Sequence, residues 1–155
     1  MPRLRRLFIA NRGEIALRIL RTAHALGIET VLGYSQADRD SLGVSLATRA
    51  VCLGPASAAQ SYLSVGTIIE AAKGTGCDAL HPGYGFLSEN RALAEACAEH
   101  GITFVGPTLE NLEAVGDKLT ARAHAEAAGV PLTPGGTVET LADAQALADR
   151  IGYPM

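Results

Sequence analysis

The chain has 155 residues, 48% of them hydrophobic and 19% charged, with a formal net charge of -3. That length holds one domain with a full core, or one domain and the start of another, and the near-balanced charge excludes a disordered or polybasic chain and gives nucleic acid nothing to bind. Its apolar stretches fall far short of the ~20 residues that cross a bilayer, and MPRLRRLFIAN at the start is too short for a signal-peptide core, so no membrane partner and a cytoplasmic location are expected.

One device recurs along the chain: an amphipathic helical segment ends in glycine and an apolar run follows at once, as in ALGIETVLGY, GTGCDAL, EHGITFVG and AAGVPL. RLFIA (6–10) reads as a strand covered on both faces, and the helix after it carries Ile15, Ile19, Ala23 and Leu26 at helical spacing. IETVLGY (28–34) is the second strand and, after a polar segment, AVCL (50–53) the third. Ser64 is placed to cap a helix running through Lys73, and DALH (78–81) gives a fourth strand. Ser88 is placed to cap ENRALAEACAEH, and ITFV (102–105) is a fifth strand. Alternation of this kind predicts an α/β fold, an open parallel sheet with helices on both faces.

The last third changes character. Two helix-like pieces are broken at Gly116, PGGT (134–137) reads as a linker, and TLADAQALADRI is a further helix stopped by Gly152. The strand-like YPM then opens at the chain end, which leads us to expect a piece of a longer polypeptide. Cys52, Cys77 and Cys97 are odd in number, widely spaced and without a CxxC pair, so neither a disulfide framework nor a zinc site is expected, and all three are assigned to the core.

Three stretches raise the question of chemistry. ANRGEIA (10–16) leads from a strand into a helix, where main-chain N–H groups suit an anion. It has one glycine where the dinucleotide motif has three, so the alternative is a tight turn with Arg12 and Glu14 in structural ion pairs. HPGYGFLSEN (81–90) follows the fourth strand at the sheet edge where ligands bind; Gly83 and Gly85 allow close backbone approach and Pro82 stiffens the entry. Tyr84 and Phe86 then either wall a site or plug the sheet end. His81 reads as a hydrogen-bonded strand-end residue and not a base, for want of a partner, and His24, His100 and His124 read as surface residues. Lys118 stands near a helix start, where a cation gains nothing from the dipole and would serve an incoming anion, although a solvated lysine is the common alternative.

Taken in order, IANRGEIALRILR, YSQADRD, HPGYGFLSEN, FVGP, GDK, AGVP and IGYP resemble the N-terminal part of the biotin carboxylase family over essentially the whole chain. The resemblance implies a Rossmann-like pre-ATP-grasp domain over residues 1–115, then the opening helices of a truncated ATP-grasp domain over 116–155. It also implies an enzyme that activates bicarbonate with MgATP, as carboxyphosphate, and carboxylates biotin on a carrier protein, in an acyl-CoA carboxylase of the acetyl-CoA type used in fatty acid biosynthesis. The implied partners are the biotin carboxyl carrier, a carboxyltransferase component and a second copy as homodimer.

By the same resemblance, Lys118 of GDK contacts ATP phosphate, Tyr84 and Gly85 line the biotin and bicarbonate pocket, and Glu89 and Asn90 lie at its end. The metal ligands, phosphate lid and catalytic residues fall beyond 155, so no catalytic or metal residue is assigned and the 155 residues alone are expected to be inactive. Two departures stand out. Gly43, Thr48 and Arg49 replace a histidine and an acidic pair, which implies an altered surface, and Ala25 stands where an acid would pair with Arg21 across a dimer. The competing readings are a non-catalytic docking module with the same fold and, behind it, a free-standing nucleotide-binding protein.

Overall fold

Within the first apolar run Arg6–Ile9 forms β1 in the computed structural model, which describes residues 4–154. It is followed by α1 (Gly13–Ala25), β2 (Glu29–Ser35), α2 (Leu42–Leu46), β3 (Arg49–Gly54), α3 (Val65–Gly74), β4 (Ala79–His81), α4 (Arg91–Glu99) and β5 (Thr103–Phe104). The five strands lie in the order β3-β2-β1-β4-β5, all parallel, with Phe8 opposite Val31 on one side and Leu80 on the other. Both faces are covered, which is why the central strands carry consecutive apolar residues, Leu7–Ile9 and Val31–Leu32, and not one at every second position. Phe8, Val31 and Leu80 pack with Ile68, Ala72, Leu93 and Cys97 of α3 and α4, while Leu7, Ile9, Leu32 and Ala79 pack with Ala16, Leu20 and Ala23 of α1. This is the open α/β sheet that the alternation predicts.

Several local expectations change. The buried stripe of α1 is Ala16, Leu20 and Ala23, one position round from Ile15 and Ile19, and Leu26 is 60% exposed. Two alanines let the helix lie close on the sheet, so the larger isoleucines are left at its flank. Ser64 caps α3 by accepting from the Thr67 N–H at 3.4 Å. Ser88 is not the cap of α4: its N–H closes a turn onto the Gly85 carbonyl, and Asn90 does the capping, accepting from Leu93 at 3.0 Å. The polar segment between β2 and β3 holds α2, where Gly43 is buried and an added Cβ would stand 2.9 Å from Leu32. Thr48 and Arg49 are exposed, although Thr48 accepts the Thr30 N–H at 3.1 Å, so of the three departures Gly43 alone is a packed position and the other two lie at the surface. Cys77 and Cys97 are buried, but Cys52 is exposed, because on the edge strand β3 its neighbour Leu53 takes the core face.

The chain divides into two compact units, one running to Leu112 and one from Glu113. α5 (Leu109–Gly116) ends at the glycine, and Asp117 caps α6 (Lys118–Ala127) by accepting from Leu119 at 3.1 Å and Thr120 at 2.8 Å. α7 (Leu141–Ile151) opens with a reciprocal capping box between Thr140 and Asp143. The PGGT stretch does not link units: it lies inside the second, beside the Thr133 carbonyl bonded by Arg122 at 2.7 Å, with Gly136 packed near Leu147. Among the described residues no helix is long and apolar enough to cross a membrane.

Candidate functional site

The strand order places β2 on one side of β1 and β4 on the other, so the loops leaving β1 and β4 part toward opposite faces at the carboxyl edge of the sheet. Such a switch point opens a crevice for a ligand. Pairing runs to the strand ends, where the Ala10 N–H donates to the His81 carbonyl at 3.0 Å. Next in the chain is Asn11, a polar side chain only 1% exposed. Its Nδ2 donates to the Pro82 carbonyl at 2.7 Å and the Tyr84 carbonyl at 2.9 Å, and its Oδ1 accepts the Arg12 N–H at 2.9 Å. The loop after β1 thus holds the loop after β4.

The two glycines of that second loop differ in kind. Gly83 has φ +70° and lies against Asn11 and Ile15, where an added Cβ would approach each within 2.7 Å. Gly85, also at φ +70°, has open space beside it, and its N–H donates no hydrogen bond among the described residues. The two aromatics differ in their surroundings. Tyr84 is 64% exposed and donates its hydroxyl to Glu14 Oε1 at 2.6 Å, a partner that raises the pKa of the phenol. Phe86, at φ +42°, stacks on Tyr62 with ring centroids 5.0 Å apart and 16° between planes.

Tyr62 continues the support below. Its hydroxyl accepts the Ser35 N–H at 2.9 Å and donates to Asp38 at 2.8 Å, while Asp38 pairs with Arg12 at 2.9 Å. Burial, opposed by the Ser35 N–H and aided by the Asp38 carboxylate, pushes the Tyr62 hydroxyl up to about 12. In the ANRGEIA turn Arg12 is therefore spent on a structural ion pair, and Glu14 takes a phenol proton rather than a cation. Through these two side chains the turn braces its neighbour.

His81 accepts the Gly83 N–H on Nδ1 at 3.0 Å, and burial lowers its pKa, so it stands as a neutral strand-end residue. Beside it an apolar groove of about 740 Å³, lined by Ile15, Ile19, Val105 and Tyr84 among others, runs along the flank of α1. Asn90 spends its side-chain oxygen on the α4 cap, whereas Glu89 is exposed and has no partner among the described residues. Lys118 belongs to the second unit and opens α6, exposed and unpaired among the described residues. The Asp117 carboxylate already takes the first helical N–H groups, and those bonds from Thr120 hold its pKa down, so any anion there would meet the Lys118 ammonium and not the helix end. Among the described residues no group of three or more His, Cys, Asp or Glu is placed to hold a metal.

Residue patterning missed Asn11, Asp38 and Tyr62. The available signal was Asn11 itself, an amide directly after a buried strand, where a polar group needs bonding partners.

Residues 3–112 match the family model described as biotin carboxylase, N-terminal domain. The chain is similar to biotin carboxylase 1 of Bacillus subtilis, 51% identical over 154 residues that cover 98% of this chain and 34% of that one. It is equally similar to the mitochondrial methylcrotonoyl-CoA carboxylase subunit alpha of Arabidopsis thaliana, 51% identical, with 98% and 21% covered. A solved biotin carboxylase domain dimer of the Hydrogenobacter thermophilus 2-oxoglutarate carboxylase, in complex with MgADP, ADP and bicarbonate, matches with TM-score 0.91 and 38% identity over 99% of this chain and 34% of that one. The chain spans about a third of the length of that bacterial relative and of that structure.

Proposed function

The chain belongs to the biotin carboxylase family, as its N-terminal domain, and we propose that within a longer polypeptide it serves the ATP-dependent carboxylation of biotin. In this reading bicarbonate attacks the γ-phosphoryl group of ATP, ADP leaves, and the carboxyphosphate formed passes its carboxyl group to a ureido nitrogen of carrier-bound biotin, releasing inorganic phosphate, which carries off the ureido proton. Residues 1–115 are the pre-ATP-grasp domain and 116–155 open the ATP-grasp domain. Tyr84 and Gly85 wall the biotin and bicarbonate pocket, Glu89 and Asn90 close its end, and the Lys118 ammonium meets ATP phosphate. Magnesium, when bound, neutralises charge on the phosphates; the described residues offer it no ligand set, so no step here rests on it.

The observation that carries the reading is the held loop at the switch point, which exposes Tyr84 and leaves the Gly85 N–H without a protein partner among the described residues. A fixed main-chain donor suits an oxygen of bicarbonate or of a ureido group, because its dipole is oriented before the ligand arrives. The acyl acceptor stays at the level of the class. Relatives named for methylcrotonoyl-CoA and 2-oxoglutarate share this stretch, so acetyl-CoA is a proposal that only the acceptor-binding component can decide. The proposed partners are the biotin carboxyl carrier, a carboxyltransferase component and a second copy, without an Arg21 to Ala25 salt bridge, and the proposed location is the cytoplasm.

The test is ADP release by the complete carboxylase chain with biotin and bicarbonate supplied and withheld. We expect release that needs both, no release by the 155 residues alone, and a rise of about tenfold or more in the KM for ATP on Lys118→Gln. Turnover by the 155 residues alone would sink the reading. A complete chain that is inert yet binds a partner subunit without nucleotide would establish the docking module instead.

A further inference from the structure

We propose that Asn11 is a positioning residue whose amide fixes the plane of the Tyr84–Gly85 peptide and so aims the Gly85 N–H at the ligand. The inference rests on the carboxylase reading above for what the ligand is, but the brace itself is a matter of geometry. In a trans peptide the carbonyl and the following N–H point in opposite directions. Because Asn11 draws the Tyr84 carbonyl inward at 2.9 Å, the Gly85 N–H is turned outward, to the side where it has no protein partner among the described residues. Without the inward bond that peptide would turn more freely, since Gly85 at φ +70° has no side chain to resist the rotation and no heavy atom within 4 Å of where a Cβ would stand.

The orientation of the amide is itself determined. Only nitrogen donates to two carbonyls and only oxygen accepts an N–H, so the bonds to Pro82, Tyr84 and Arg12 leave one arrangement of the side chain. Gly83, between the two bonded carbonyls, is pressed against the same amide, so a side chain there would wedge the brace open. At 1% exposure Asn11 does not reach a ligand; it acts through the loop. A staple needs one bond, whereas two bonds to carbonyls on either side of a glycine set a plane.

Asn11→Asp keeps the shape and replaces the donor by an acceptor that repels both carbonyls. In the complete carboxylase with free biotin as substrate, we expect the KM for biotin to rise about tenfold or more while the KM for ATP stays within about twofold. In the 155-residue chain, the Gly85 amide resonance should move while those of β1 and β4 stay in place. Lowering the pH should restore part of the biotin KM relative to wild type, because a protonated carboxyl regains one donor. An unchanged biotin KM would overturn the proposal, and so would equal rises in both KM values with loss of protection across the sheet, the mark of a purely structural role. If Asn11→Asp does not fold, Asn11→Ala is read by the same pair of measurements. A wild-type chain without biotin-dependent ADP release would refute the carboxylase reading alone, and the Gly85 resonance would still decide the brace.

Discussion

Tyr62→Phe removes one oxygen from the middle of the support beneath the loop. The hydroxyl accepts the N–H of Ser35, a residue 1% exposed, and donates to the Asp38 carboxylate at 2.8 Å. Leaving the Ser35 N–H unpaired costs about 1–3 kcal/mol, and a hydrogen bond to a charged group contributes about 1.5–3 kcal/mol. Asp38 keeps Arg12 and the Ser35 hydroxyl, which offsets part of the second loss. The net cost is about 2–3 kcal/mol, or a fall in Tm of roughly 5–10 °C for a chain of this size. With no tryptophan in the chain, urea unfolding followed by far-UV circular dichroism is the assay. A pH arm adds a second test. Burial, more than the Asp38 carboxylate, raises the Tyr62 pKa to about 12 in the fold, above the ~10 of an unfolded tyrosine. The stabilisation is therefore complete below pH ~10 and is lost as pH rises through the folded value. Tyr62→Phe should flatten that alkaline decline. A loss below ~0.5 kcal/mol, well under the unpaired-donor cost, or an alkaline slope equal to that of wild type, would refute the reasoning.

Asp78 ties the start of β4 to β1, accepting the Arg5 N–H at 3.0 Å and the Arg6 N–H at 3.1 Å. Burial pulls its pKa up, but the N–H groups of Arg6 and Arg5 outweigh it and the net shift is downward. Its stabilisation is thus present above the unfolded value of ~3.9 and disappears as pH falls through the folded one. Asp78→Asn should cost about 1 kcal/mol at neutral pH and converge with wild type in acid; a constant difference in urea midpoint across that range would count against it. The thiols offer a simpler check. Cys52 is exposed, while Cys77 and Cys97 are buried, and burial pushes the Cys97 thiol up to about 11. A thiol reagent should therefore titrate one cysteine in the native chain and three in denaturant; fast labelling of all three would contradict the core.

The sheet is legible in the sequence because burial on both faces makes its strands apolar at consecutive positions, and glycines mark where helices hand over to strands. Finer assignments fail where two local signals compete. Ala16 and Leu20 overlap the stripe of Ile15 and Ile19, and only the closeness of helix to sheet decides between them. Ser88 and Asn90 are both capping residues, and the turn closed onto Gly85 settles which one is free to cap. The held loop with its two glycines and the exposed Tyr84 is readable from HPGYGFLSEN itself. Asn11 becomes visible only when the strand order is known, because its partners lie 71 and 73 residues away. The structural ion pair of Arg12 is readable as one alternative in ANRGEIA, but its partner Asp38, 26 residues on, is found only in the fold.

That separation also bears on the order in which the chain folds. β1 meets β2 across a span of 23 residues, as between Arg6 and Glu29, whereas Asn11 meets Pro82 across 71. Closing the longer span costs roughly 1 kcal/mol more in chain entropy, and non-local contacts of this kind form slowly. The contacts that shape the site therefore belong to the later steps of folding, after α1 and the first strand pair have supplied a surface for β4 to join. A chain interrupted between β2 and β4 would keep its local helices and lose the loop geometry first.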